Sequence, residues 1–218
     1  MNEIEPHYHQ NDLIFYVRQR SSDIPIIKEV VRDDNYLTSE FINGGDIVVD
    51  IGGHIGSFSV LAGSRGAVVL TYEPVKRNFD LLKKNTEING FNNTVFNMAV
   101  TGKEEVRRIY VRGFNFGGSN LYTVHENPDF YEDVQCTTLD RIFENNNLDH
   151  IDFLKLDCEG AEVEILEATT RLKDIKTIAL EFHGQETLNK LLRRLGKTHK
   201  VNHKVANDVM GTVILTSK

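Results

Sequence analysis

Between residues 48 and 79 the chain reads VVDIGGHIGSFSVLAGSRGAVVLTYEPVKRNF, with Asp50, Gly52, Gly53 and Gly56 at the end of one apolar run and Glu73 at the end of the next. Glycines in a tight strand-to-helix turn let backbone N–H groups and the helix N-terminus approach a ligand closely. The dinucleotide fingerprint G-x-G-x-x-G does not fit, because alignment on Gly53 and Gly56 puts its first glycine at Ile51. The segment fits D-x-G-x-x-x-G instead, with an acid on the strand before the turn. Buried among valines, Asp50 is costly unless it accepts hydrogen bonds from the loop or a ligand. Glu73 follows 23 residues later, at a strand end where a carboxylate can accept both hydroxyls of a ribose. The pair suits a ligand with a ribose and a positively charged or amino-acid part, with no phosphate requirement. S-adenosylmethionine has those features.

FLKLDCEGAEVEIL (153–166) is a second dense stretch. Lys155, Asp157 and Glu159 alternate along a strand end, and Gly160 opens a helix carrying Glu162 and Glu164. Acids in a first helical turn favour the helix dipole, so Glu162 and Glu164 read as structural or solvated. Asp157 and Glu159 fall at the carboxyl edge of the sheet, beside the crevice where ligands of open α/β sheets bind. Glu181 and His183 end a further run, TIALEFH (177–183). These four are donors for a hard metal, but no spacing among them specifies one, and no metal site is expected.

The elements that position these residues follow from periodicity. DIVVDI (46–51), AVVLTYE (67–73), TVFNMAV (94–100), IDFLKLD (151–157) and TIALEFH read as strands. Helical patterns fall between them, one starting at Pro74, whose missing N–H costs nothing there, and ending at the NG of 89–90. Alternation of this kind builds a mostly parallel sheet with helices on both faces. HKVA and VMGTVILT, separated by ND (207–208), read as a closing antiparallel hairpin. In residues 1–45, LIFYVRQ reads as a strand, IPIIKEVV as a strand or a helix, and LTSEFI as a short helix. That segment is an N-terminal extension packing on the core, and 46–218 the binding domain with an insertion at about 101–136.

A chain of 218 residues with 40% apolar residues suits one soluble globular domain. Its net charge of −7 argues against a nucleic-acid or anionic-membrane partner. Cys136 and Cys158 make no disulfide framework, the first thirty residues hold no apolar signal core, and no apolar run approaches a bilayer span. A cytoplasmic location is the expectation.

VVDIGGHIGSFS, YEPVKRNFDLLKKNTEING, NMAV, TLDRI, IDFLKLDCEGAEVEIL and IALEFH, in that order over roughly 45–185, resemble the FkbM family of S-adenosylmethionine-dependent methyltransferases. The resemblance implies a Rossmann-like class I methyltransferase: a mostly parallel seven-stranded sheet ending in an antiparallel hairpin. It puts Asp50, Gly52, Gly53, His54 and Gly56 at the methionine end of the donor, Glu73 on its ribose, and Asn97 and Met98 beside its adenine. Asp157 faces the donor's amino group or the acceptor. The family usually has asparagine where this chain has His54, which reads as a hydrogen-bonding spacer in the turn.

The family's usual acceptor is a hydroxyl on a sugar, polyketide or other small metabolite. A neutral alcohol is a poor nucleophile, so a base helps; Asp157, Glu159 and His183 are the catalytic candidates, the latter two as the base. The stretch at 112–134, rich in glycine and aromatic residues, reads as a lid over the acceptor. A metal-dependent O-methyltransferase and a non-catalytic S-adenosylmethionine-binding protein are the alternatives.

Overall fold

A computed structural model describes residues 4–111, 130–206 and 210–218. The chain opens with the antiparallel pair β1 (Ile4–Gln10) and β2 (Leu13–Arg18). Leu13, Phe15 and Val17 alternate inward along β2 and are buried, as period-two patterning requires. IPIIKEVV is helical: α1 (Asp23–Ile27) runs into a π-helical turn at Lys28–Arg32, closed by the Asp33 N–H donating to the Lys28 carbonyl at 3.0 Å. Pro25 sits in the first turn, where it displaces no helical hydrogen bond. Burial of Ile27, Val30 and Val31 against the sheet outweighs the weak helix propensity of β-branched residues. α2 (Thr38–Phe41) then leads into the core.

Strand and helix alternate through β3 (Ile47–Ile51), α3 (Ser57–Ser64), β4 (Val68–Tyr72), α4 (Lys76–Asn89) and β5 (Asn93–Phe96). Gly90 ends α4 in the left-handed conformation, with φ 69°. The expected third strand is broken: β5 stays in the main sheet, while β6 (Ala99–Val100) pairs elsewhere. Asn97 makes the corner, its Nδ2 donating to the carbonyls of Glu73 and Pro74. β6 joins β7 (Val106–Val111) and β8 (Phe130–Thr137) in a separate small sheet. Residues 130–134 of the expected lid thus belong to a strand, whereas Gly113, Phe114, Phe116, Gly117, Gly118 and Tyr122 lie outside the described residues.

α5 (Leu139–Asn145), β9 (Ile151–Leu156), α6 (Glu162–Ala168), β10 (Ile175–His183), α7 (Gln185–Leu195), β11 (His199–Ala206) and β12 (Met210–Ser217) complete the chain. The main sheet has seven strands in the order β11-β12-β10-β9-β3-β4-β5. Five are parallel neighbours, and β12 runs antiparallel to both β10 and β11. Every residue of β9 is buried, as both faces are covered. One face packs on α5, α6 and α7; the other packs on α3 and the N-terminal segment through Phe15, Ile27, Tyr36 and Phe58. Order reverses beside β3, so a crevice opens at the carboxyl ends of β3, β4 and β9. Among the described residues no helix is long and apolar enough to cross a membrane.

Candidate active site

Gly52 follows β3 with φ 86°, and a Cβ on it would come within 1.8 Å of the Asp157 carbonyl oxygen. Only glycine allows the β3–α3 turn to sit against the loop after β9. Two residues with side chains adopt the left-handed conformation in these two loops: His54, with φ 49°, and Glu159, with φ 55°. Such backbone persists where its surroundings over-determine it, and it clusters at functional sites.

Between these loops lies a cavity of about 360 Å³, within the range of small-molecule sites. Gly52 and His54 line it at the centre; Tyr72, Glu73 and Val75 line the β4 side; Asp157, Glu159 and Glu181 line the β9 and β10 side. Ile26, Val30 and Tyr36 of the N-terminal segment also contribute to its wall.

Glu73 is 4% exposed, and its carboxylate accepts from the amides of His54 (2.8 Å) and Val75 (2.9 Å) and from Asn78 Nδ2 (3.3 Å). Burial pushes its pKa up to about 7 against the pull of those donors. Asp50 is fully buried and does not line the cavity; its carboxylate accepts from Lys155 Nζ at 3.1 Å and from the Ser59 hydroxyl. Its work is to hold Lys155 under the turn. Gly53, Gly56, Asn97 and Met98 likewise lie outside the lining, in the turn and at the β5 corner.

Lys155 is buried, donates to the Gly52 carbonyl at 2.9 Å, and stands 3.5 Å from Asp157 Oδ2. Burial works against its ammonium, but Asp50 and Asp157 outweigh it and hold the pKa above the ordinary lysine value. The Tyr36 hydroxyl donates to Asp157 Oδ2 at 2.9 Å. One Asp157 oxygen is therefore oriented by a phenol and an ammonium.

His54 is set by Arg18. The Arg18 Nη2 lies 3.1 Å from His54 Nε2, and a guanidinium has only donors, so Nε2 accepts and the ring proton is on Nδ1. Burial lowers the His54 pKa to about 4, so the ring is neutral, and Nδ1 is buried without a partner. Arg18 in turn makes a bidentate pair with the fully buried Asp23 and donates to Asn78 Oδ1 at 2.8 Å.

Burial, then Asp157 and Glu162, push Glu159 up to about 7. Burial, then Asp157 and Glu159, push Glu181 to about 8. His183 stands outside the lining, half exposed, with Nε2 3.7 Å from Glu159 and 3.6 Å from Glu181. Glu162 is buried and accepts from the amides of Cys158 and Gly160, each at 3.0 Å, which pins the loop bearing Glu159. Glu164 accepts from the Gly102 amide. Among the described residues no group of three or more His, Cys, Asp or Glu side chains is placed to hold a metal ion. Sequence reading missed Arg18, Asp23, Tyr36 and Asn78. Arg18 reaches His54 36 residues on and Tyr36 reaches Asp157 121 residues on, and no local pattern signals either contact.

This strand order, with a glycine turn after the central strand and an acid at the end of the next, is that of the Rossmann-like class I methyltransferases. A tRNA methyltransferase of M. jannaschii superposes with a TM-score of 0.55 at 12% identity, covering 100% of this chain and 57% of that one. A Pyrococcus abyssi tRNA (uracil-54, C5)-methyltransferase in complex with S-adenosyl-L-homocysteine gives 0.56 at 14%, covering 98% and 44%. The precorrin-6y C5,15-methyltransferase of Geobacter metallireducens gives 0.52 at 14%, covering 86% and 88%. The chain thus spans about half of each tRNA enzyme. No curated protein matches the sequence. The methyltransferase FkbM domain profile matches residues 50–203, and the chain belongs to that family.

The cofactor the family implies is S-adenosylmethionine, and the residues present fit it. The cavity is of cofactor size, carboxylates stand at both ends to meet hydroxyls and positive charge, and His54 Nδ1 is an orphaned buried donor suited to a carboxylate.

Proposed function

We propose that the chain is an S-adenosylmethionine-dependent O-methyltransferase acting on a hydroxyl of a small molecule. The observation that carries this reading is Glu159: a left-handed residue in the cavity wall whose carboxylate, at about 7, is poised to take a proton near neutral pH. S-adenosylmethionine supplies an electrophilic methyl group on a sulfonium. When it is bound, Glu73 would meet the ribose hydroxyls, His54 Nδ1–H the carboxylate, and Asp157 the ammonium. Asp157 is preorganised for that by Tyr36 and Lys155. Glu159 would accept the acceptor's hydroxyl proton as that hydroxyl takes up the methyl group. His183, half exposed and 3.7 Å away, can pass that proton to solvent. Excluding water from the reacting atoms and aligning oxygen with methyl is where most of the gain in such a displacement lies.

Calorimetric titration with S-adenosylhomocysteine, followed by a methyl-transfer screen on hydroxylated metabolites with and without chelator, tests the reading. Donor binding with chelator-resistant methylation of a hydroxyl supports it. Binding without any transfer would favour a non-catalytic donor-binding role, and transfer to nitrogen or carbon would remove the O-directed part.

A further inference from the structure

Among the described residues, five carboxylates line the cavity, those of Glu29, Glu73, Asp157, Glu159 and Glu181, and no lysine or arginine does. Two of the five are provided for. Glu73 already accepts from the His54 and Val75 amides and has the ribose to meet, and Asp157 rests on Lys155 and Tyr36. Glu159 and Glu181 meet only the imidazole of His183, at 3.7 and 3.6 Å, among the ion pairs of the described residues.

Asn35 adds an acceptor at the same end. Its Nδ2 is turned to Glu29 Oε1 at 3.1 Å, which fixes the amide, because the reverse orientation would set carbonyl against carboxylate. Oδ1 is left buried and without a partner. An orphaned buried acceptor costs free energy that a ligand donor can recover. The half of the cavity on the β9 and β10 side therefore presents acceptors and negative charge, and wants N–H donors and positive charge. Burial raises Glu181 most, and repulsion from Asp157 and Glu159 adds to it; a cation placed there would relieve the repulsion.

Resting on the methyltransferase reading above, we infer that the molecule methylated here carries a cationic amine beside its hydroxyl, held by Glu181, Glu29 and Asn35 Oδ1. Glu159 is left free for the hydroxyl. A phosphate ester or another anionic acceptor is repelled by the same wall.

Three sugars on one ring test this on the full chain saturated with S-adenosylhomocysteine: glucosamine, N-acetylglucosamine and glucuronate, each titrated by calorimetry. Glucosamine should bind at least roughly tenfold more tightly than N-acetylglucosamine, as one charge-assisted contact requires, with glucuronate weakest. Glu181→Gln should cut that preference to within about threefold. Equal affinities, no binding of any of the three, or a preference for the neutral or anionic sugar would overturn the inference. S-adenosylhomocysteine titrated alone reads the underlying proposal: if it binds while glucosamine gains no preference, only the acceptor inference falls. If it does not bind, the donor reading fails and takes the acceptor inference with it.

Discussion

Arg18 Nη2 donates to His54 Nε2 across 3.1 Å, so a strand outside the span matched to the family fixes the tautomer of a residue in the glycine turn. His54→Asn should keep S-adenosylhomocysteine affinity within about threefold, because asparagine tolerates the left-handed backbone and retains a donor. His54→Val loses both, and affinity should fall by roughly tenfold or more. Calorimetry on the two variants decides; equal affinities would remove His54 from the donor site.

Arg18 also neutralises Asp23. Arg18→Ala strands a fully buried carboxylate, and stability should drop by about 3–5 kcal/mol at neutral pH. Burial raises the Asp23 pKa, but the Arg18 hydrogen bonds and charge outweigh it and leave the folded value depressed. The stabilisation is therefore present above the ordinary carboxylate range and is lost as pH falls through the folded value. Urea melts of the two proteins at neutral pH and in acid should converge in acid.

Lys155 is held between Asp50 and Asp157 under the rings of Tyr36 and Phe58, 5.5 and 5.7 Å from their centroids. Lys155→Met should cost about 3–5 kcal/mol, since it leaves Asp50 charged and buried. Adding Asp50→Asn removes that charge and should recover a good part of the loss. A double-mutant cycle from denaturant melts reads the coupling, and additive losses would mean that the ion pair contributes little.

The parallel sheet was legible because β3, β4 and β9 are continuous apolar runs and Gly52, Gly90 and Pro74 punctuate them. The terminal hairpin was legible from two apolar runs about a short polar break. The break of 94–100 into β5 and β6 was not, because it depends on Asn97 reaching the carbonyls of Glu73 and Pro74. Around the site, Glu73, Gly52, Asp157 and Glu159 stand out by position at strand ends. Asp50 also stands out by position, yet its carboxylate faces Lys155 and Ser59 and not the cavity. Tyr36 and Arg18 are invisible locally: each acquires its role from a partner on a distant strand or loop, which only tertiary packing brings near.

Glu73 accepts from two backbone amides as well as facing the cavity, so its variants should affect fold and ligand together. Glu73→Ala should weaken donor binding by about 1–3 kcal/mol and also lower the melting temperature, because the His54 and Val75 amides lose their acceptor. Glu73→Gln keeps one acceptor oxygen and should be intermediate in both. Unchanged S-adenosylhomocysteine affinity in a folded Glu73→Ala protein would take the ribose role away from this residue.

Glu159 gives the sharpest pH signature. Burial, reinforced by Asp157 and Glu162, holds its pKa at about 7, so as a base it is half ionised near neutrality. Methyl transfer should rise with pH through that value and then level off. Stability runs the other way: a carboxyl raised on folding binds its proton more tightly in the native state. Its contribution is complete below the ordinary carboxylate range and is lost as pH rises through about 7. Glu159→Gln should lower kcat by about 10²–10⁴-fold, leave the KM for the donor nearly unchanged and abolish the rising limb. Asp157→Asn should instead weaken the donor, because the oxygen oriented by Tyr36 and Lys155 is lost as an anion. Rate profiles against pH, together with S-adenosylhomocysteine titrations of both variants, separate the roles. Equal losses of donor affinity, or a rising limb that survives Glu159→Gln, would move the base to His183, which stands 3.7 Å behind it.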